Sequence, residues 1–203
     1  MTNERKQHWE TIYQTKRPDE VSWTQEIPQT SLDFIHSVRQ PKSASIIDVG
    51  GGDSKLVDFL LDEGYENLTV LDISDTALER AKKRLGATAE KVNWIVSDIT
   101  DFKPDRSYDI WHDRAAFHFL TEDEQISGYL NIVKQSAIGY MLIGTFSENG
   151  PKKCSGLEIK QYAPMDLKQT FKDDFDVISC KTEDHRTPFN TTQNFTFCSF
   201  KRK

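Results

Sequence analysis

The sequence predicts an α/β fold: a mostly parallel sheet of seven strands, helices on both faces, and an antiparallel strand pair at the C-terminus. Three observations carry this. "SIIDVGGGDSK", residues 45 to 55, climbs through Ile46, Ile47 and Val49 into three glycines, and Leu56, Val57, Leu60 and Leu61 then share a helical face. Strand-like and helix-like runs keep alternating after it, the order that builds a parallel sheet covered on both sides. Finally, "FDVISCKTED" and "QNFTFCSFKRK" alternate as two strands joined by a loop, an antiparallel pair at one edge.

Taken in order, residues 1–40 read as a helical arm. Trp9 and Tyr13 stand at i, i+4, and Leu32, Ile35 and His36 recur at helical spacing. Between them "KRPDEVSWTQEIP" is a loop bounded by Pro18 and Pro28. Residues 41–203 read as the core, and 1–203 as one domain. Its first strand is Ser45 to Val49. "LTVLDIS" is the second, ending at Asp72. "SDTALERAKKRLG" is a helix with Ala77, Leu78, Ala81 and Leu85 inward and Gly86 as its stop. "VNWIVSDIT" is a third strand ending at Asp98, and "SYDIWHDRAAFHFL" holds a fourth. Thr121 and Glu124 form a T-x-x-E capping box that opens a helix through "TEDEQISGYLNIVKQSA". "GYMLIGTF" is the fifth strand, and Pro164 begins a short helix through Leu167 and Phe171.

Composition narrows the function. The chain has 203 residues, 29% of them charged, and a net charge of -6. A nucleic-acid binder would carry a basic surface, so that partner is disfavoured. No apolar run reaches membrane-spanning length, and "MTNERKQHWE" is too polar for a secretory signal. Cys154, Cys180 and Cys198 lie far apart without a C-x-x-C pair. That argues against a disulfide framework or a structural zinc site and fits a reducing cytoplasm. A monomer or weak dimer is expected.

The glycine turn identifies the ligand class. Glycines allow positive φ and leave no Cβ in the way of a ligand. A dinucleotide fingerprint, G-x-G-x-x-G, would place its third glycine where Lys55 stands, so it fails; no Gly-Lys-Ser/Thr follows, so this is no P-loop. What is present is Asp48-x-Gly50-x-Gly52. Asp72 lies 20 residues beyond Gly52, placed to accept from ribose hydroxyls. For one acid alone, a solvated strand end is the better reading. Three acids ending or following three successive strands favour a ligand.

Asp48-x-Gly50-x-Gly52 resembles the D/E-x-G-x-G motif of S-adenosylmethionine (SAM) enzymes, with Ser54 at the place of their frequent third glycine. The chain thus resembles the class I SAM-dependent methyltransferases, whose Rossmann-like fold ends in an antiparallel strand pair. The resemblance implies SAM as cofactor and S-adenosyl-L-homocysteine as product. It implies cofactor contacts at Trp23, Asp48, Gly50, Gly51, Gly52, Asp72, Ile73, Asp98, Ile99 and His112, with Asp98 and the Ile99 amide near the adenine. Asp113-Arg114-Ala115-Ala116 is similar to the D-R-(G/A)-A-L stretch of thiopurine and tellurite-type methyltransferases. "HWETIY…VSWTQEIPQTSL" is similar to that group's lid-forming start.

At the fourth-strand end, Asp113, Arg114 and His118 are the candidate catalytic residues. Phe117, Phe146, Cys154 and His185 are candidates for the acceptor pocket. An Asp113–Arg114 structural ion pair is an equally good reading; the alternatives for Phe117 and Cys154 are a core side chain and an inert thiol. His112 and His118 have no third ligand at metal spacing, so no metal is expected. The expected activity is methyl transfer to a small-molecule acceptor. The alternatives are a protein lysine or N-terminal methyltransferase and a SAM-binding regulator without catalysis.

Overall fold

The computed structural model describes residues 2–203. Helix α1 (Thr2–Thr15) and helix α2 (Gln29–Ser37) form the arm, separated by a 3-10 turn at Pro18–Glu20. The core follows as β1 (Ser45–Val49), α3 (Leu56–Asp62), β2 (Asn67–Asp72), α4 (Asp75–Leu85), β3 (Val92–Val96), β4 (Tyr108–Arg114), α5 (Asp123–Ser136) and β5 (Ala137–Phe146). A two-stranded hairpin, β6 (Lys153–Cys154) and β7 (Leu157–Glu158), precedes α6 (Pro164–Phe171), β8 (Phe175–Arg186) and β9 (Thr192–Arg202).

The seven-stranded sheet has the order β3-β2-β1-β4-β5-β9-β8. Strands β1 to β5 pair in parallel; β9 inserts between β5 and β8 and runs antiparallel to both. The chain moves outward from β1 to β3 and then returns to the other side of β1. That reversal opens a crevice between the carboxyl ends of β1 and β4, where open α/β sheets bind ligands. The glycine turn leaves β1 at this crevice.

Strand alternation divides the core into two layers. Ile46, Val70, Ile110 and Leu142 face α2, α3 and α4, meeting Leu32, Ile35, Leu60 and Leu78. Ile47, Trp111, Met141 and Phe200 face α5 and α6, meeting Tyr129, Val133 and Leu167. Trp111 and Tyr129 are fully buried, and each fully buried large side chain removes apolar area worth roughly 1.5–3 kcal/mol.

Two expectations change. Helix α5 starts one residue later than the Thr121–Glu124 pair implied: Glu122 is its N-cap, and the Glu122 N–H donates to Gln125 Oε1 at 3.3 Å. The cysteines are not all free. Cys180 on β8 and Cys198 on β9 are register partners and form a disulfide, leaving Cys154 as the free thiol. Strand pairing supplies the proximity that sequence spacing hides, so cysteine usage gives no support for a reducing compartment. No helix among the described residues is long and apolar enough to cross a membrane.

Candidate functional site

The crevice closes into a cavity of about 320 Å³. Its floor is the glycine turn. The N–H groups of Gly50 and Gly51 both donate to Leu71 O, at 2.7 and 3.2 Å, which pins the turn to the end of β2. Gly50 and Gly52 have φ of +67° and +51°. Gly51 is needed for a different reason: a Cβ there would lie 2.6 Å from Asp48 Oδ2 and 2.7 Å from Val70 Cγ1. Gly51→Ala should therefore push Asp48 out of place. We expect at least tenfold weaker S-adenosylhomocysteine binding and a lower melting temperature, read by calorimetry and thermal unfolding; unchanged binding would remove the turn from the site.

The acids sit where strand ends put them. Asp48 Oδ1 lies 2.6 Å from His112 Nδ1, and His112 Nε2 lies 2.7 Å from Ser31 Oγ, so β1, β4 and α2 are joined by one buried chain. Asp72 Oδ1 accepts from the Ser74 N–H at 2.8 Å. Burial raises the Asp72 carboxyl to about 7, and the charges of Asp53 and Asp48 add to this. Asp98 accepts from the Thr100 N–H and hydroxyl at 2.9 and 2.8 Å and meets Arg5 Nη1 at 3.2 Å. Ile73 and Ile99, the residues after these acids, also line the cavity.

Helix α1 forms the roof, within the segment "HWETIY…VSWTQEIPQTSL" whose resemblance implies a lid. Arg5, Trp9 and Tyr13 stand at i, i+4 and i+8 and all line the cavity. Arg5 reaches Asp98, and the Tyr13 hydroxyl lies 2.5 Å from where a Gly52 Cβ would be. Trp9 packs edge-on against both Trp23 and Phe119. Glu10, on the neighbouring face, caps α4 by accepting from the Asp75 N–H at 2.7 Å and the Thr76 N–H at 3.3 Å. The Trp9–Tyr13 spacing signals the helix and, extended back to Arg5, the side of it that lines the cavity.

The fourth-strand end divides by strand alternation. His112 and Arg114 point into the cavity; Asp113, between them, points to the opposite face. Asp113 is 0% exposed. Its Oδ1 accepts from the Ala116 and Phe117 N–H groups at 3.0 and 3.1 Å, and its Oδ2 from the Tyr129 hydroxyl at 2.8 Å. This corrects its placement beside the acceptor: its contacts hold the loop. It makes no ion pair with Arg114. Arg114 Nη1 instead donates to Trp23 O at 3.1 Å, and its guanidinium stacks 4.9 Å over the Phe195 ring.

Of the remaining candidates, Cys154 lines the cavity, its thiol raised to about 11 by burial. His118 does not line it; its Nδ1 accepts from the Phe146 N–H at 3.2 Å, and burial, with the Arg114 charge, lowers its pKa to about 3. Phe117 is core, packed on Tyr129, Tyr162 and Phe171. Phe146 packs against His118 and Phe195, behind the cavity wall. His185 Nε2 donates to Ser22 O at 2.7 Å and ties the hairpin of β8 and β9 to the arm loop. No cluster of metal-ligating side chains occurs among the described residues.

Comparison with known proteins agrees with this fold. Residues 46–135 match a family model described as a methyltransferase domain. The eEF1A lysine and N-terminal methyltransferase of Mus musculus is 24% identical over 122 residues, 59% of this chain but only 17% of that protein. A SAM-dependent methyltransferase structure from Anabaena variabilis superposes with a TM-score of 0.76, covering 100% of this chain and 95% of that one at 14% identity. TehB from Haemophilus influenzae gives a TM-score of 0.69 at 16% identity, covering 89% of this chain and 64% of that one.

Proposed function

We propose that this chain, which carries a methyltransferase domain match over residues 46–135, is a class I SAM-dependent methyltransferase that transfers the methyl group of SAM to a nucleophile on a small-molecule acceptor. The observation that carries the acceptor reading is the roof. Arg5, Trp9, Tyr13 and Trp23 enclose a cavity of about 320 Å³, and the arm that supplies them is fastened by Glu10 and Arg5. Such a chamber favours a small acceptor over a folded protein surface.

The residues present fit the cofactor. Asp72 is buried beside Asp48 and Asp53, so hydroxyl donors would stabilise its ionised form. The cradle at Gly51 leaves no room for a Cβ. We assign the ribose to Asp72, the adenine end to Asp98 and Ile99, and the amino-acid end to the glycine turn and Asp48, with Asp48 held by His112. Bound SAM supplies a methyl group already activated by a sulfonium. The protein's task is then alignment and exclusion of water. Trp9, Trp23 and Phe119 form the apolar wall that excludes it.

A second reading, methylation of a protein lysine or N-terminus, is favoured by the likeness to the eEF1A methyltransferase. Radiolabelled SAM and a cell extract fractionated by size separate the two. We expect label in the small-molecule fractions; label confined to protein would overturn the small-acceptor reading, and label in neither would leave a SAM-binding regulator. In a thermal-shift titration, SAM and S-adenosylhomocysteine should stabilise the protein by several degrees and NAD should not, because Lys55 stands where the dinucleotide turn needs glycine. Stabilisation by NAD alone would refute the cofactor assignment.

A further inference from the structure

Arg114 has more hydrogen-bond donors than the fold uses. Its Nη1 is engaged by Trp23 O, but Nε and Nη2 are shut off from solvent with no partner among the described residues. Buried donors are almost always paired, and a buried guanidinium without a contacting carboxylate is rarer still. Burial weakens its hold on the proton, lowering it only to about 10, so it is still a cation at neutral pH.

The acids that act on it from a distance are already committed. Glu183 accepts from the Thr30 hydroxyl at 2.5 Å and pairs with Lys181 at 2.7 Å. Asp48 is bonded to His112. Neither makes an ion pair with Arg114.

The two free nitrogens are the particular two that matter. Nε and Nη2 form one planar edge of a guanidinium, the edge that takes both oxygens of a carboxylate in parallel hydrogen bonds. Their position separates this edge from the cofactor's place. Arg114 is the last residue of β4 and pairs with Gly144 of β5. Its guanidinium lies over Phe195 of β9, beyond β5, on the opposite side of β4 from β1 and its glycine turn. Cys154 lies within the reach of its charge. Both are walls of the cavity.

We infer that the Nε–Nη2 edge of Arg114 is a carboxylate-binding subsite on the acceptor side of the cavity, so that the methyl acceptor is a small ionised carboxylic acid. This rests on the methyl-transfer reading and extends it to the acceptor's chemical class. Phe195 beneath the guanidinium fixes its plane, and the bond to Trp23 O fixes its rotation; because the edge is closed to solvent, the acceptor reaches it by displacing neighbouring side chains. That arrangement also couples the subsite to the arm loop, because the residue that restrains the fork is the residue that closes the roof.

The test uses propionate and its neutral isostere propionamide at equal ionic strength, with the protein saturated with S-adenosylhomocysteine. Propionate should raise the melting temperature several degrees more than propionamide in the wild type. In Arg114→Gln that difference should vanish. In Arg114→Lys, which keeps the charge without the fork, less than half should remain, and this variant serves if Arg114→Gln does not fold. Affinity for S-adenosylhomocysteine should stay within threefold in both variants. Equal effects of the two probes on the wild type, or an undiminished propionate effect in Arg114→Gln, would overturn the inference. So would a tenfold or greater loss of S-adenosylhomocysteine binding in both variants, which would put the cofactor's own carboxylate on the fork. The comparison is repeated without S-adenosylhomocysteine. A propionate preference there, in a protein that S-adenosylhomocysteine does not stabilise, would keep the subsite and sink the methyl-transfer reading.

Discussion

Asp72→Asn should weaken S-adenosylhomocysteine binding while leaving the empty protein as stable as the wild type, or more so, at pH 8. The two effects come from the same burial. Loss of hydrogen bonds to a charged acceptor costs roughly 1.5–3 kcal/mol, or about 10- to 150-fold in affinity. The empty wild type, meanwhile, holds a carboxylate among Asp48 and Asp53 in the closed crevice, with its pKa raised to about 7. The sign follows from proton counting. Between the ordinary aspartate value and about 7, the unfolded chain has released this proton and the folded chain retains it. Asp72 therefore contributes a stability that is fully present below about pH 4 and lost as the pH rises through 7. The full shift sets an upper bound of about 4 kcal/mol on that loss. Asp72→Asn lacks this slope, so its melting temperature should gain on the wild type between pH 4.5 and pH 8. Calorimetric titration and melting curves at the two pH values read both effects. Unimpaired binding would mean that the ribose is held elsewhere, and a parallel pH dependence would mean that Asp72 is not the buried group that titrates.

What was legible in the sequence followed the chain's local periodicities. The glycine turn, the acids at strand ends and the closing strand pair are local patterns, each with its own steric or hydrogen-bonding reason, and the sheet has the predicted architecture. Contacts made across the sheet were hidden. Nothing in the spacing of Cys180 and Cys198 shows that their strands pair in register. The roof was half legible: Trp9 and Tyr13 marked a helix, but its placement over the crevice depends on Glu10 reaching the start of α4. At "HDRAAFHFL" the strand parity was readable and decides the matter. Asp48 of β1 pairs with His112 of β4, so His112 and Arg114 share the cavity face and Asp113 cannot join them. A family motif groups Asp113 with Arg114 because they are adjacent in sequence; adjacency in a strand places them on opposite faces.

That parity sets the second large expectation. Asp113→Ala should cost on the order of 3–5 kcal/mol, because it strands three buried donors at once: the N–H groups of Ala116 and Phe117 and the hydroxyl of Tyr129. The effect reaches the cavity through the backbone. Ala115 has a φ of +69°, a left-handed conformation that an alanine adopts only when its surroundings hold it there. The bonds to the Ala116 and Phe117 N–H groups hold it, and Ala116 closes on Gly50, where an added Cβ would meet the Ala116 Cβ at 2.6 Å. Asp113→Asn is the milder variant. It keeps one oxygen for the two N–H groups but offers an amide to Tyr129, whose hydroxyl already accepts from Trp111 Nε1 at 2.9 Å. The tyrosine proton then has no acceptor. Burial raises Asp113 to about 6, so the wild type loses part of this carboxyl's contribution as the pH rises from 4 through 6. The stability gap between wild type and Asp113→Asn should therefore be widest near pH 4.5 and narrower at pH 8. Methyl transfer should fall with the folded fraction and recover on cooling below the variant's melting transition. A variant of wild-type melting temperature with turnover abolished would return Asp113 to the chemistry and require its carboxylate to turn through the sheet, against every hydrogen bond it makes here.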